Sequence, residues 1–216
     1  MAAGPTKEDA IKIVTACAKK YRDELDGNTL IFLCIDKHNI VSCFEFSFRP
    51  ENFMHLTGLK PIRNAEGESE MVGAADFYRR CLNHKLSPRD FELSDDGTTV
   101  MKLTVLPSVI NKNLSAKMIG DYNSSKPRLY TEKLAGSTNA CMGFKKDAAA
   151  GVFVPNTVLR EDLRSNVCSY VRVIATYRKK QSDEKYRELT YAAKKLDWSK
   201  IKLPSPFEYI LLPENN

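Results

Sequence analysis

The sequence predicts an α+β fold in which N-terminal helices pack on an antiparallel β-sheet. Two observations carry this. Helix-spaced apolar residues recur in the first half of the chain, and short apolar runs separated by turn formers fill the part after Ala116. Helices that precede a run of strands segregate into layers rather than alternate with them. A chain of 216 residues, 43% of them hydrophobic, fills one well-packed core.

Taken in order, Thr6-Lys7-Glu8-Asp9 has the form of an N-terminal cap, and Ala10, Ile13, Val14, Cys17, Tyr21 and Leu25 follow at helical spacing. The helix should stop at Asp26-Gly27-Asn28. Leu30 to Ile35 and Ile40 to Phe48, joined by Asp36-Lys37-His38-Asn39, predict a β-hairpin whose second strand is covered on the Phe44, Phe46 and Phe48 side and open on the Glu45 and Ser47 side. Residues 60 to 70 read as a surface loop. Met71, Ala75, Tyr78 and Leu82 suggest a second helix ending near Lys85. Thr98 to Ile110 fits either a strand or a helix around Pro107. Lys117 to Asp121, Leu129 to Leu134, Ala140 to Phe144 and Val152 to Val154 predict a meander, with a short helical piece around Leu159 to Arg164. Tyr170 to Tyr177 and Lys185 to Ala192 add two further strands. The reading is a single domain over 1–216: an N-terminal helix (1–28), a core (29–192) and a C-terminal tail (193–216).

Composition narrows the function classes. No apolar run approaches the roughly 18 residues of a membrane span, and the first residues lack the basic flank and apolar stretch of a secretory signal. The expectation is a cytoplasmic protein. Six cysteines form no Cys-x-x-Cys pair, and the three histidines stand apart, so neither a zinc site nor any other metal or cofactor is expected. Net charge is +6, but the halves differ. Residues 1 to 108 hold 14 Lys and Arg against 16 Asp and Glu, and residues 109 to 216 hold 19 against 11. The second half should attract polyanions, nucleic acid above all, although an acidic protein would feel the same field.

Three constellations carry chemistry. In Asn52-Phe53-Met54-His55-Leu56-Thr57-Gly58 a histidine that titrates near neutrality stands beside a hydroxyl and a glycine turn. By itself such a peptide more often holds a packed, hydrogen-bonded histidine than a catalyst. In the meander, Lys117, Asp121, Arg128, Tyr130, Thr131 and Lys133 precede Lys145 and Lys146, and strand alternation would put Thr131 and Lys133 on one face, where they could hold a phosphodiester. A solvated outer face is the plainer account. Val154-Pro155-Asn156-Thr157, followed by Arg160 and Arg164, suits the cap of a short helix, or an anion seat at its start. A last basic tract from Arg172 to Lys202 interleaves Tyr177, Tyr186, Tyr191 and Trp198, which stack bases or pack a core. The sequence holds no phosphate-binding glycine loop, dinucleotide turn, zinc-protease helix or serine-hydrolase elbow.

The peptides F-M-H-L-T-G (53 to 58), D-F-Y-R-R-C-L (76 to 82), A-K-M-I-G-D-Y-N (116 to 123), L-Y-T-E-K (129 to 133) and V-P-N-T (154 to 157) occur in order over most of the chain. Together they resemble a phage-associated family of barnase/EndoU/colicin/RelE-like nucleases, the fourth of the phage groups so named. The resemblance implies helices in front of a four-stranded antiparallel sheet and metal-independent RNA cleavage by 2′-hydroxyl attack, in a phage or mobile-element effector or toxin acting inside a bacterial host cell. It assigns catalysis to His55, Thr57, Tyr130, Thr131 and Lys133, and substrate binding to Lys117, Asn156 and Thr157, with Arg128 and Arg164 as added cations. The implied partner is RNA, with transfer RNA or ribosome-bound messenger as candidate targets, besides an antitoxin or another phage or host protein. Two rivals remain: an inactive RNA- or protein-binding module on the same fold, and an ADP-ribosyltransferase built on His55, Tyr130 and Glu188.

Overall fold

The computed structural model describes residues 5–62, 73–123 and 129–213. Helix α1 (Lys7–Glu24) begins at the expected cap, where the Thr6 hydroxyl accepts from the Asp9 N–H at 3.1 Å and the Asp9 carboxylate accepts from the Thr6 N–H at 3.3 Å. Val14, Cys17, Ala18 and Tyr21 form its buried face. The hairpin follows as β1 (Asn28–Ile35) and β2 (Val41–Ser47), paired antiparallel from Thr29 and Ser47 to Ile35 and Val41.

Three more helices supply the rest of the α layer. The segment after Arg49 is α2 (Pro50–Thr57), a helix that periodicity missed because it is only two turns long. Pro50 stands in its first turn, where the missing N–H costs nothing, and the Asn52 side chain accepts from the Arg49 N–H at 3.0 Å. α3 (Gly73–Leu82) matches the expected second helix, with Met71 outside the described residues. The ambiguous stretch is α4 (Thr98–Val109). Pro107 is tolerated because it falls in the last turn, and its carbonyl accepts from the Lys20 ammonium at 3.1 Å. Two-residue strands β3 (Lys60–Pro61) and β4 (Phe91–Glu92) form a separate ribbon.

The remaining strands are β5 (Met118–Tyr122), β6 (Lys133–Gly136), β7 (Cys141–Lys146), β8 (Phe153–Leu159), β9 (Val167–Lys180) and β10 (Glu188–Ala192). β5 to β8 form the expected antiparallel meander. The sheet as a whole departs from an open antiparallel one: it is a closed barrel of seven strands in the order β1-β2-β8-β7-β6-β5-β9, with β9 returning to β1 and one parallel contact, Phe46 beside Phe153, joining β2 to β8. Closure depends on the length of β9. Its N-terminal part pairs with β5 through Arg172, and from Arg172 onward it pairs with β1. Alternation along a strand reveals its faces but not a partner more than a hundred residues away.

Leu30, Phe32 and Cys34 point to the core shared with the helices, where Phe46, Phe144 and Tyr21 are fully buried. Ile31 and Leu33 point the other way and are also fully buried, under Tyr186 and Ile210 with Trp198, Phe207 and other tail residues. The outer side of β2 is therefore covered, contrary to the open face expected: Ser47 is buried, and Glu45 accepts from the Tyr186 hydroxyl at 2.7 Å. Among the described residues no helix is long and apolar enough to cross a membrane, and no group of three His, Cys, Asp or Glu is placed to hold a metal ion.

Candidate active site

His55 lies in the last turn of α2 and stays open to solvent. Partial desolvation of the imidazole, followed by the charges of Lys145 and Lys102, pulls its pKa below the ordinary histidine value. The shift favours the neutral ring, the form that accepts a proton.

Two contacts fix α2 relative to these cations. Arg49, just before the helix, bridges to Asp147 in the β7–β8 turn at 3.1 Å. The Asp147 carboxyl is held below the usual range first by the N–H groups of Ala150 and Ala149 and then by Arg49. At the other end the Lys102 ammonium, from α4, donates to the His55 carbonyl at 3.0 Å. Burial pushes the Lys102 pKa down. Lys145 closes β7, next to the turn that Arg49 engages.

Tyr130 is a second neighbour of Lys145. Its ring is 85% exposed, with the Lys145 ammonium 5.9 Å from its centroid. The backbone beneath it is held by Asn156, whose Oδ1 accepts from the Thr131 hydroxyl at 3.1 Å and whose Nδ2 donates to the Tyr130 carbonyl. These side-chain bonds take the place of regular pairing, so β6 starts at Lys133 and not at Leu129. Asn156 and Thr157 belong to strand β8 and cap no helix. Thr157 is buried over Gly143, where an added Cβ would lie 2.7 Å from the Thr157 methyl and 3.0 Å from that of Thr131.

Lys145 thus acts on His55 through its charge and stands by the Tyr130 ring, and Asn156 bonds Thr131 and the Tyr130 carbonyl. Other expected residues lie elsewhere. Thr57 is fully buried, donates to the Met54 carbonyl at 2.8 Å and accepts from the Leu59 N–H at 3.1 Å, so it shapes the end of α2. Lys133 does not share a face with Thr131. Its ammonium lies over the rings of Phe44 and Phe153, at 4.8 and 5.5 Å, and meets Asp121 at 2.5 Å. Lys117 covers Tyr191 at 3.9 Å. Arg164 is held by Asp162 at 2.6 Å, Glu188 is engaged by Arg178 at 2.7 Å, and Arg128 lies outside the described residues. Sequence reasoning left Lys145 in a general basic stretch and missed Lys102 altogether; nothing in the local pattern links Lys102 to a helix 47 positions earlier.

A family model described as phage-Barnase-EndoU-ColicinE5/D-RelE like nuclease4 matches residues 13–195. No curated protein and no solved structure matches the chain.

Proposed function

The chain belongs to this phage-associated, nuclease-like family, and from that membership we propose that it is an endoribonuclease that cuts RNA without a metal, at the surface formed by His55, Lys145 and Tyr130. The observation that carries the reading is an exposed histidine in the last turn of α2, its carbonyl held by the Lys102 ammonium, with Lys145 set against the exposed Tyr130 ring. The neutral imidazole takes the proton of a ribose 2′-hydroxyl, whose oxygen attacks the adjacent phosphorus. The bond to the 5′-oxygen breaks, the proton held by His55 passes to that leaving oxygen, and a 2′,3′-cyclic phosphate remains. Lys145 offsets the extra negative charge of the transition state. Tyr130 supplies a face for an unpaired base, and Thr131 and Asn156 hold it in place.

Lys145 takes the part expected of Lys133, whose ammonium is committed to Asp121. RNA as the substrate, and the role of an effector acting in a bacterial host, rest on the family and on the basic second half of the chain.

Incubation of end-labelled RNA with the purified protein in EDTA tests this directly. Cyclic phosphate ends are expected, and His55→Ala should slow cleavage about 10²- to 10⁴-fold with an unchanged melting temperature. Salt-sensitive retention of intact RNA would instead indicate a binding module. Modification that requires added NAD would indicate the transferase.

A further inference from the structure

The seam that closes the barrel covers only part of β9. β1 and β9 pair from Asn28 and Lys180 up to Ile35 and Arg172, and there β1 ends because Asp36 turns the chain into β2. The Asp36 carboxylate accepts from the N–H groups of His38 and Ile40, both at 2.8 Å, so the turn is firmly held. β9 begins five residues earlier, at Val167, and this early part pairs with β5 on its other side. Opposite β5, among the described residues, Cys168 to Val171 have no strand beside them.

A groove of about 850 Å³ occupies that position. Ile35, Asp36 and Lys37 line one wall, and Cys168, Tyr170 and Arg172 line the other. An unpaired strand edge flanking a slot of this kind is a template for another strand, because its N–H and C=O groups are complemented only by a second peptide backbone. Nucleic acid has no matching ladder. The charge around the slot selects further. Arg164 in the wall is neutralised by Asp162 and the Asp36 carboxylate feels the charge of Lys37, but no salt bridge among the described residues engages Lys37 or Arg172, so the lining keeps a cationic excess. A second copy of this chain would bring these cations against their own kind, and an acidic strand would satisfy them.

We propose that the slot beside Cys168 to Val171 binds an extended, acidic segment of a protein partner, which adds to β9 as the strand that β1 leaves off. Tyr170, 49% exposed, offers an apolar surface for alternate side chains of that segment.

The probe is a synthetic peptide of about eight residues alternating glutamate and valine, a usual strand length. Two readouts report on the slot. One is hydrogen exchange at those amides of residues 168 to 171 that face the slot and not β5. The other is alkylation of Cys168, the exposed cysteine beside five that are buried or half-buried. At a peptide concentration of about ten times Kd, alkylation should slow roughly tenfold, and the same amides should gain protection. The double variant Lys37→Glu, Arg172→Glu should lose both effects and regain them with a lysine–valine peptide. The proposal is overturned if the acidic peptide leaves these amides and Cys168 unprotected, or if the charge reversal does not switch the preference. It is equally overturned if a uridine oligonucleotide protects the same amides, or if they become protected by dimerisation of the protein alone. None of these readouts depends on RNA cleavage, so they stand or fall apart from the ribonuclease reading.

Discussion

The Lys102 ammonium donates to the His55 carbonyl at 3.0 Å, and its alkyl stem runs past Gly58, where an added Cβ would lie 2.9 Å from the Lys102 Cδ. Gly58 also adopts a φ of 71°, the left-handed conformation that ends α2. Gly58→Ala therefore meets a backbone penalty of about 1–2 kcal/mol and pushes on the lysine stem. Chemical denaturation should show a loss of that order. Cleavage should fall with it, because the displaced stem carries the bond that holds the last turn of α2. Full stability in Gly58→Ala would mean that the seam between α2 and α4 is looser than its geometry indicates.

The pH dependence of cleavage follows from the same seam. In the proposed mechanism His55 acts as a base when neutral, and its pKa is shifted below the ordinary histidine value, so activity should persist as pH falls through that value and be lost only below it. Lys145 is one cause of the depression. Lys145→Ala should then move the acidic limb of the profile upward in pH while lowering the plateau. A limb that stays in place in Lys145→Ala would separate the lysine from the histidine.

How far the sequence reveals this site depends on the range of the contacts. The N-terminal helix, the hairpin and the meander are written in local signals: the Thr6 cap, the Asp36 turn, the alternation on either side of Gly136. The His55 peptide and the Tyr130 peptide are equally legible as unusual. Their pairing is not, because Arg49 reaches Asp147 and Lys102 reaches His55 across long stretches of chain. The shared face expected of Thr131 and Lys133 fails for a related reason. Alternation from Thr131 assumes a strand, but Asn156 holds Tyr130 and Thr131 out of regular pairing, and Lys133 turns onto Phe44 and Asp121 instead. The barrel was illegible because its closing pairs join Asn28–Ile35 to the far half of a fourteen-residue strand.

Tyr130 makes a separable prediction. An aromatic ring this exposed gains little for the fold, and stacking on a base is worth about 1–3 kcal/mol. Tyr130→Ala should weaken RNA binding by roughly that amount with the melting temperature unchanged, and Tyr130→Phe should behave as the native protein does. Asn156→Ala should weaken binding less than Tyr130→Ala, since it loosens the platform without removing the ring. These differences appear in Kd for an uncleavable 2′-deoxy oligonucleotide. Equal affinities for the native protein and Tyr130→Ala would rule out stacking, and loss in Tyr130→Phe would assign the work to the hydroxyl.

The outer layer of the barrel carries the last prediction. Tyr186 is buried, and its hydroxyl donates to the Glu45 carboxylate at 2.7 Å, joining the C-terminal part of the chain to β2. Burial, with the Glu45 charge second, pushes the Tyr186 pKa well above the ordinary tyrosine value, so the donor keeps its proton throughout the working range. Tyr186→Phe removes only that donor. It should cost about 1.5–3 kcal/mol, the range for a hydrogen bond to a charged group. Glu45→Gln keeps an acceptor of nearly the same shape and should cost less. In a double-mutant cycle the two losses should be non-additive, because Glu45→Gln has no bond left to weaken once Tyr186→Phe has removed the donor. Simple additivity would show that the tyrosine acts through packing with Ile31 and Leu33 alone, and cleavage should be unaffected in either variant.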